Sequence, residues 1–111
     1  MSFSPGDVLL VPVVFSDGGG RKKRPVVIVY ASGDADLLVA PVTSQAARSP
    51  RDVPVVNWQR AGLRLPSIVR LEKLATVEKS TVVRKMGHLP PNDWEKVKAV
   101  LEQFFSDILA R

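Results

Sequence analysis

The apolar residues of this chain come in short runs separated by polar turns, a pattern that predicts a structure made mainly of β-strands. Three β-branched runs, at residues 7–14, 25–30 and 37–43, predict three buried strands. Two more strands are predicted at residues 53–56 and 67–73. Short strands at such close spacing favour a small, curled antiparallel sheet or barrel.

Alternation along the fifth predicted strand indicates where its charged side chains point. A period of two places Arg70 and Glu72 on one face, with Val69 and Leu71 on the other. Arg70 and Glu72 are therefore expected to lie side by side on one strand face. One further short strand is expected around residues 81–84.

The last part of the chain has a different period. Pro90 and Pro91 end the sheet, Asn92 is a favourable N-cap, and Glu95 three residues later completes a capping box. An amphipathic helix of about 17 residues is predicted to follow. Its apolar stripe consists of Trp94, Val97, Leu101, Phe104 and Ile108, widened by Val100, Phe105 and Leu109.

All of these elements fit one domain over residues 1–111, mainly β with a C-terminal helix. A chain of this length buries one modest core and leaves much of its surface exposed, so a dimer interface would be a natural supplement. Apolar residues make up 45% of the chain, which is an ordinary globular composition.

The chain has no cysteine, which excludes disulfides, zinc–thiolate sites and cysteine nucleophiles. We expect a cytoplasmic protein, because its first residues show no signal-peptide pattern and no apolar run has the roughly 20 residues of a membrane span.

The net charge of +5 is unevenly distributed. Residues 1–88 hold 13 Lys/Arg against 7 Asp/Glu, whereas residues 89–111 hold 3 against 4. Residues 16–24, three glycines followed by four bases, predict a mobile basic loop. A basic body favours a polyanionic partner, nucleic acid first, although solubility alone is the simpler interpretation.

Several kinds of chemistry are excluded by what the chain lacks. His88 is the only histidine, so no two-histidine acid–base pair exists within one chain. Neither a phosphate-binding glycine motif nor a spaced carboxylate cluster for Mg²⁺ is present, and no cofactor or metal is expected. The remaining arginine, threonine and carboxylate residues suit RNA cleavage by the RNA's own 2′-hydroxyl, which needs a base and a cation on the phosphorane.

Three positions are candidates for that chemistry, and each has a structural alternative. Arg24 ends the basic loop and begins a strand, but it is equally explained as surface charge. Thr43 ends another strand, where a hydroxyl also caps turns. The Arg70 and Glu72 pair is equally explained as a solvated ion pair that contributes little.

The order of several short motifs resembles the MazF/PemK toxin family over nearly the whole chain. The motifs are PGDV at 5–8, KRPVV at 23–27, APVTSQ at 40–45, AGL at 61–63 and SIVRLEKL at 67–74. Each motif alone is weak, but the full set in this order and spacing is specific. The resemblance implies an SH3-like barrel, a homodimer and sequence-specific, metal-independent cleavage of single-stranded RNA.

The resemblance also implies roles for individual residues. In MazF-like members the catalytic pair corresponds to Arg24 and Thr43. In PemK-like members an arginine and an acid correspond to Arg70 and Glu72, with Glu where the family pattern has Asp. The first-loop histidine of that branch is missing here, which favours Arg24 and Thr43. RNA contacts are expected from Arg21, Lys22, Lys23, Ser44, Gln45 and Lys73.

The resemblance implies a cognate antitoxin whose acidic or amphipathic tail fills the RNA groove, to which a basic body is suited. Two alternatives share the fold. CcdB-like toxins bind DNA gyrase and cleave nothing, and a non-catalytic RNA-binding or regulatory module would also keep the barrel. The presence of both Arg24 and Thr43 favours the nuclease.

Overall fold

Seven strands and one long helix make up the part of the protein that a computed structural model describes, residues 2–14 and 21–110. The strands are β1 (Asp7–Val14), β2 (Arg21–Tyr30), β3 (Asp36–Thr43), β4 (Asp52–Pro54), β5 (Ile68–Arg70), β6 (Ala75–Glu78) and β7 (Arg84–His88). The helix α1 spans Pro91–Leu109, and 3-10 turns cover Leu71–Lys73 and Lys79–Thr81.

Strand β3 is the centre of an antiparallel sheet with the order β4-β5-β3-β2-β1-β7. One edge of β3 pairs with β2, and its other edge is shared between β6, next to the first half of β3, and β5, next to its end. The sheet is barrel-like but is not closed by strand pairing within the described residues. The predicted fold class, mainly β with a C-terminal helix, is confirmed.

The central strands are buried on both faces. Neighbours along one strand, such as Val8 and Leu9 or Val26 and Val27, belong to two different apolar clusters. One cluster packs beneath α1 through Val97, and the other lies on the opposite face of the sheet. Burial on both faces explains why the strands appear in the sequence as continuous apolar runs.

The helix begins two residues earlier than its predicted capping box requires. Pro90 is the N-cap and Pro91 occupies the first helical position, where a missing N–H costs nothing, so Asn92 lies inside the helix and its predicted capping role is wrong. Asp93 is the fully buried polar residue instead, and its carboxylate accepts the Val56 N–H at 2.8 Å and the Asn57 N–H at 3.0 Å. These bonds fasten α1 to the segment after β4.

The basic segment is partly a strand, so the prediction of a loop over residues 16–24 is wrong for its second half. Strand β2 begins at Arg21, and it pairs with β1 from Val14 opposite Arg21 to Val11 opposite Arg24. Backbone pairing with β1 outweighs the lack of apolar side chains here, because strand preference depends on context. Ser16, Asp17 and the three glycines lie outside the described residues.

The predicted fifth strand is shorter than residues 67–73, because the chain leaves the sheet after Arg70 and makes a 3-10 turn. Arg70 is buried while Glu72 is exposed, so the prediction that they share a strand face is wrong. The single strand expected around residues 81–84 is also wrong: β6 and β7 flank a 3-10 turn there. Both strands are mostly exposed and lack the apolar alternation that would reveal them.

Two glycines bring distant backbones into direct contact. A Cβ on Gly62, whose φ is +88°, would lie 2.2 Å from the carbonyl oxygen of Met86. A Cβ on Gly87 would lie 2.4 Å from the carbonyl oxygen of Ala61. This close approach holds the segment after residue 62 against β7.

Replacing Gly62 with alanine is expected to destabilise the fold through both strain and collision. Gly33 is the matched control, because its φ is +89° but nothing lies within 4 Å of its added Cβ. Gly33→Ala should cost about 1 kcal/mol from the left-handed backbone alone, and Gly62→Ala should cost at least about 2 kcal/mol. Urea unfolding measures both, and equal losses would show that the close contact is not rigid.

Candidate active-site groove

A groove of about 710 Å³ lies between the start of β2, the end of β3, β7 and the segment 63–67. Four cations line it, Lys23, Arg24, Arg64 and Arg84, and none of its described lining residues is acidic. The remaining lining side chains are apolar or neutral, and they include an exposed Leu65. A concave, cationic surface of this kind attracts a polyanion.

Arg24 and Thr43 meet in this groove because of the pairing between β2 and β3. The register sets Val26 opposite Pro41. Arg24 lies two residues before Val26 and Thr43 lies two residues after Pro41, so the chains that leave this pairing carry both residues to the same end of the two strands. Both residues line the groove. The structure therefore brings together one of the two residue pairs predicted from the sequence.

The hydroxyl of Thr43 takes part in a turn at the end of β3. Its Oγ1 accepts a hydrogen bond from the backbone N–H of Gln45 at 3.2 Å. The alternative interpretation of Thr43, as a residue whose hydroxyl caps a turn, is therefore correct as far as this contact goes. Because that contact uses an oxygen lone pair, the hydroxyl proton is still available for donation into the groove.

The second predicted pair lies elsewhere. Glu72 and Lys73 line a smaller pocket of about 210 Å³ together with Arg70. The carboxylate of Glu72 is exposed and accepts a hydrogen bond from the Ser49 hydroxyl. Neither Arg70 nor Glu72 is a lining residue of the groove that holds Arg24 and Thr43.

Arg70 is held by a buried carboxylate that sequence reasoning missed. Its Nε lies 3.2 Å from Oδ1 of Asp52, and the side chains are 8% and 1% exposed. Burial alone raises the pKa of Asp52, but hydrogen bonds from the Arg48 N–H and the Arg70 guanidinium outweigh it, so the pKa lies below its ordinary value. The sequence showed only an acid between Arg51 and Val53, and nothing local marked it as buried.

The residues predicted to contact RNA are divided by the structure. Lys23, Ser44 and Gln45 line the groove, Lys22 is exposed on β2, and Lys73 lies in the smaller pocket. The side chain of Arg21 lies outside the described residues. Sequence reasoning missed the opposite wall, which Arg64, Leu65, Ser67, Arg84 and Met86 form. These residues lie 40 or more positions after Arg24 in the sequence. No local motif or periodicity could therefore predict that they share a groove with it.

His88 has a structural partner at the far end of β7. Its Nδ1 lies 2.8 Å from the buried carboxylate of Asp7, which also pairs with Lys85 at 3.1 Å. His88 does not line the groove. Among residues 2–14 and 21–110, no three His, Cys, Asp or Glu side chains come together as a potential metal site. No helix in the same ranges is long and apolar enough to cross a membrane.

Comparison with known proteins gives a consistent result. A family model described as "PemK-like, MazF-like toxin of type II toxin-antitoxin system" matches residues 4–105. The endoribonuclease EndoA of Bacillus subtilis (strain 168) is 30% identical over 105 residues, which cover 87% of this chain and 89% of the relative.

Solved structures of the same kind share the fold. The Mycobacterium tuberculosis toxin MazF-mt6 superposes with a TM-score of 0.73 at 22% identity, covering 90% of this chain and 96% of that chain. A MazE–MazF structure from Deinococcus radiodurans has a TM-score of 0.74 at 17% identity, with 96% and 98% covered. A mycobacterial endoribonuclease in complex with its cognate antitoxin has a TM-score of 0.78 at 16% identity, with 95% and 96% covered. The family resemblance predicted from the motifs is confirmed, and the chain belongs to the PemK-like, MazF-like toxins of type II toxin–antitoxin systems.

Proposed function

We propose that this toxin is an endoribonuclease that cleaves single-stranded RNA at specific sequences in the groove of Arg24 and Thr43, without a metal ion. Its membership of the family and its likeness to an endoribonuclease support the enzyme class. The observation that carries the proposal is that Arg24 and Thr43 line the same groove, which has four cations and no acid among its described lining residues.

In the proposed reaction the RNA supplies its own nucleophile. The 2′-hydroxyl loses a proton to a base and attacks the adjacent phosphorus, and the bond to the 5′-oxygen of the next nucleotide breaks. The products are a 2′,3′-cyclic phosphate and a 5′-hydroxyl, which receives a proton. Arg24 stabilises the charge that develops on the phosphorane oxygens, because its planar guanidinium fits two of them. Thr43 donates its hydroxyl proton to a phosphate oxygen.

RNA binding is proposed to involve both walls of the groove. Lys23, Ser44 and Gln45 follow from the sequence prediction, and Arg64 and Arg84 supply charge from the opposite side. The side chain of Leu65, 58% exposed, offers an apolar surface to a base. Guanidinium and ammonium groups in a lining without acids are suited to binding the phosphates of RNA.

The same groove is proposed to receive the cognate antitoxin. Two of the structural neighbours are toxin complexes, one with its cognate antitoxin and one of MazE with MazF. An acidic antitoxin segment would satisfy the same cations as RNA, so the two ligands would exclude each other. The toxin is proposed to act in the cytoplasm, where mRNA is translated.

Removing either groove residue should lower the rate of cleavage while leaving the fold intact. Loss of a preorganised charge donor typically costs on the order of 10²–10³ in rate. The cleavage rate of Arg24→Ala should fall by at least that factor, and the rate of Thr43→Ala somewhat less. The rates are measured in a buffer that contains EDTA, and the cut ends are mapped. Arg60→Ala is the control, since it removes an exposed arginine that does not line the groove. Near-normal turnover by Arg24→Ala, or cleavage that stops in EDTA, would contradict the proposal.

The predicted role of Glu72 as general base is tested by Glu72→Gln. We expect a loss of less than about tenfold, because this carboxylate is exposed, bonds to Ser49 and lies outside the groove. Ser49→Ala is the matched control, since it removes the same hydrogen bond from the other side. A loss as large as that of Arg24→Ala, without a similar loss in Ser49→Ala, would establish Glu72 as the base.

The toxin is proposed to be a homodimer whose interface includes the end of α1. Three apolar side chains of the helix, Phe105, Ile108 and Leu109, are 41%, 47% and 83% exposed. Light scattering at micromolar concentration should give twice the chain mass of 12.1 kDa. Ile108→Glu should shift the mass to that of one chain, whereas Ala99→Glu, on the opposite side of the helix, should not. A wild-type monomer at these concentrations would overturn the proposal.

A further inference from the structure

The Thr43 hydroxyl is oriented by a backbone group that is itself held in place. The N–H of Gln45 donates to Thr43 Oγ1. The Gln45 side chain is exposed, and an exposed amide has no intrinsic reason to keep one rotamer. Its Oε1 nevertheless accepts a hydrogen bond from Nη1 of Arg70 at 3.1 Å. The position of Gln45, and with it the donor to Thr43, therefore depends on Arg70.

Arg70 is held in turn by Asp52. Its Nε and Nη2 donate to the two carboxylate oxygens of Asp52 at 3.2 and 3.4 Å, and Nη2 also lies 3.5 Å from the Ala46 carbonyl oxygen. The same carboxylate accepts the Arg48 N–H at 2.9 Å. The pair thus holds residues 45–48 against β5, between the end of β3 and the start of β4.

A buried ion pair is a poor way to gain stability. Both charges lose their hydration, and apolar replacements of similar volume are often neutral or stabilising. Asp52 and Arg70 are side by side in the register of β4 and β5 and are almost completely buried. A guanidinium group directs several hydrogen bonds at fixed angles, which an apolar side chain cannot do.

We propose that Asp52 and Arg70 are positioning residues for RNA cleavage, acting through Gln45 to aim the Thr43 hydroxyl into the groove. The inference rests on the proposed role of Thr43. With Oγ1 already accepting the Gln45 N–H, the hydroxyl proton is left for donation to a phosphate oxygen bound in the groove. In this arrangement Arg70 acts without touching the RNA, because its donors are directed at Asp52, Gln45 and Ala46.

A positioning role has a kinetic signature that a purely structural role lacks. Misdirecting the Thr43 hydroxyl weakens a contact that matters in the transition state, so kcat should fall while KM changes little. If Asp52 acts only through Thr43, its loss should have no further effect once the hydroxyl is gone. A double-mutant cycle measures that dependence directly.

The experiment compares Asp52→Asn, Thr43→Ala and the double variant in the full-length toxin, using one RNA substrate below the unfolding temperature of each variant. Asp52→Asn should lower kcat at least about tenfold. The double variant should be no slower than Thr43→Ala alone. Asp93→Asn is the matched control, because Asp93 is a buried carboxylate that fastens α1 and does not line the groove; it should lower stability and leave kcat of the folded protein unchanged.

A second variant keeps the test decisive if Asp52→Asn does not fold. Gln45→Met changes an exposed side chain, retains the backbone N–H and removes the acceptor for Arg70, so it should lower kcat in the same non-additive way. Additive losses with Thr43→Ala, or normal kcat in the folded Asp52 or Gln45 variant, would overturn the positioning role alone. Normal cleavage by Thr43→Ala would instead refute the proposed function of the groove.

Discussion

The pairing register between β2 and β3 is the constraint on which the rest of the structure depends. It sets Val26 opposite Pro41, and from there Arg24 and Thr43, each two residues farther along its strand, both reach the groove. A slip of one residue would turn Thr43 to the other face of the sheet. Such a slip is prevented because β3 is buried on both faces, and Val39 and Ala40 would have to exchange clusters.

The groove gathers four cations, and none of its described lining residues is acidic. Elsewhere the protein pairs its buried charges closely, as Asp52 does with Arg70 and Asp7 with Lys85. Like charges gathered around one groove create a positive field, which raises the affinity and the association rate of a polyanion that enters it.

The sequence allowed the fold class to be predicted because its strongest signals, the three β-branched runs and the terminal amphipathic helix, reflect burial. It failed where tertiary contacts decided the structure: β2 extends back to Arg21 through pairing with β1, and the chain leaves the sheet after Arg70. At the site, Arg24 and Thr43 were candidates from their chemistry and their places at strand ends, and the family resemblance favoured them over Arg70 and Glu72. Asp52, Arg64 and Arg84 were not predicted as site residues. The burial of a single polar residue, or its contact with residues far along the chain, produces no local sequence pattern.

The central claim is that the nucleophile is a 2′-hydroxyl of the RNA. The protein positions the reacting groups and stabilises the charge that develops on the phosphorane. After the cut site in a substrate has been mapped, the most direct measurement uses two otherwise identical strands. One of them carries a single 2′-deoxyribose at the nucleotide on the 5′ side of the cut. The account predicts that both strands bind with similar affinity and that only the all-ribose strand is cleaved, leaving a cyclic phosphate. Cleavage of the deoxy-substituted strand at the same position would contradict it.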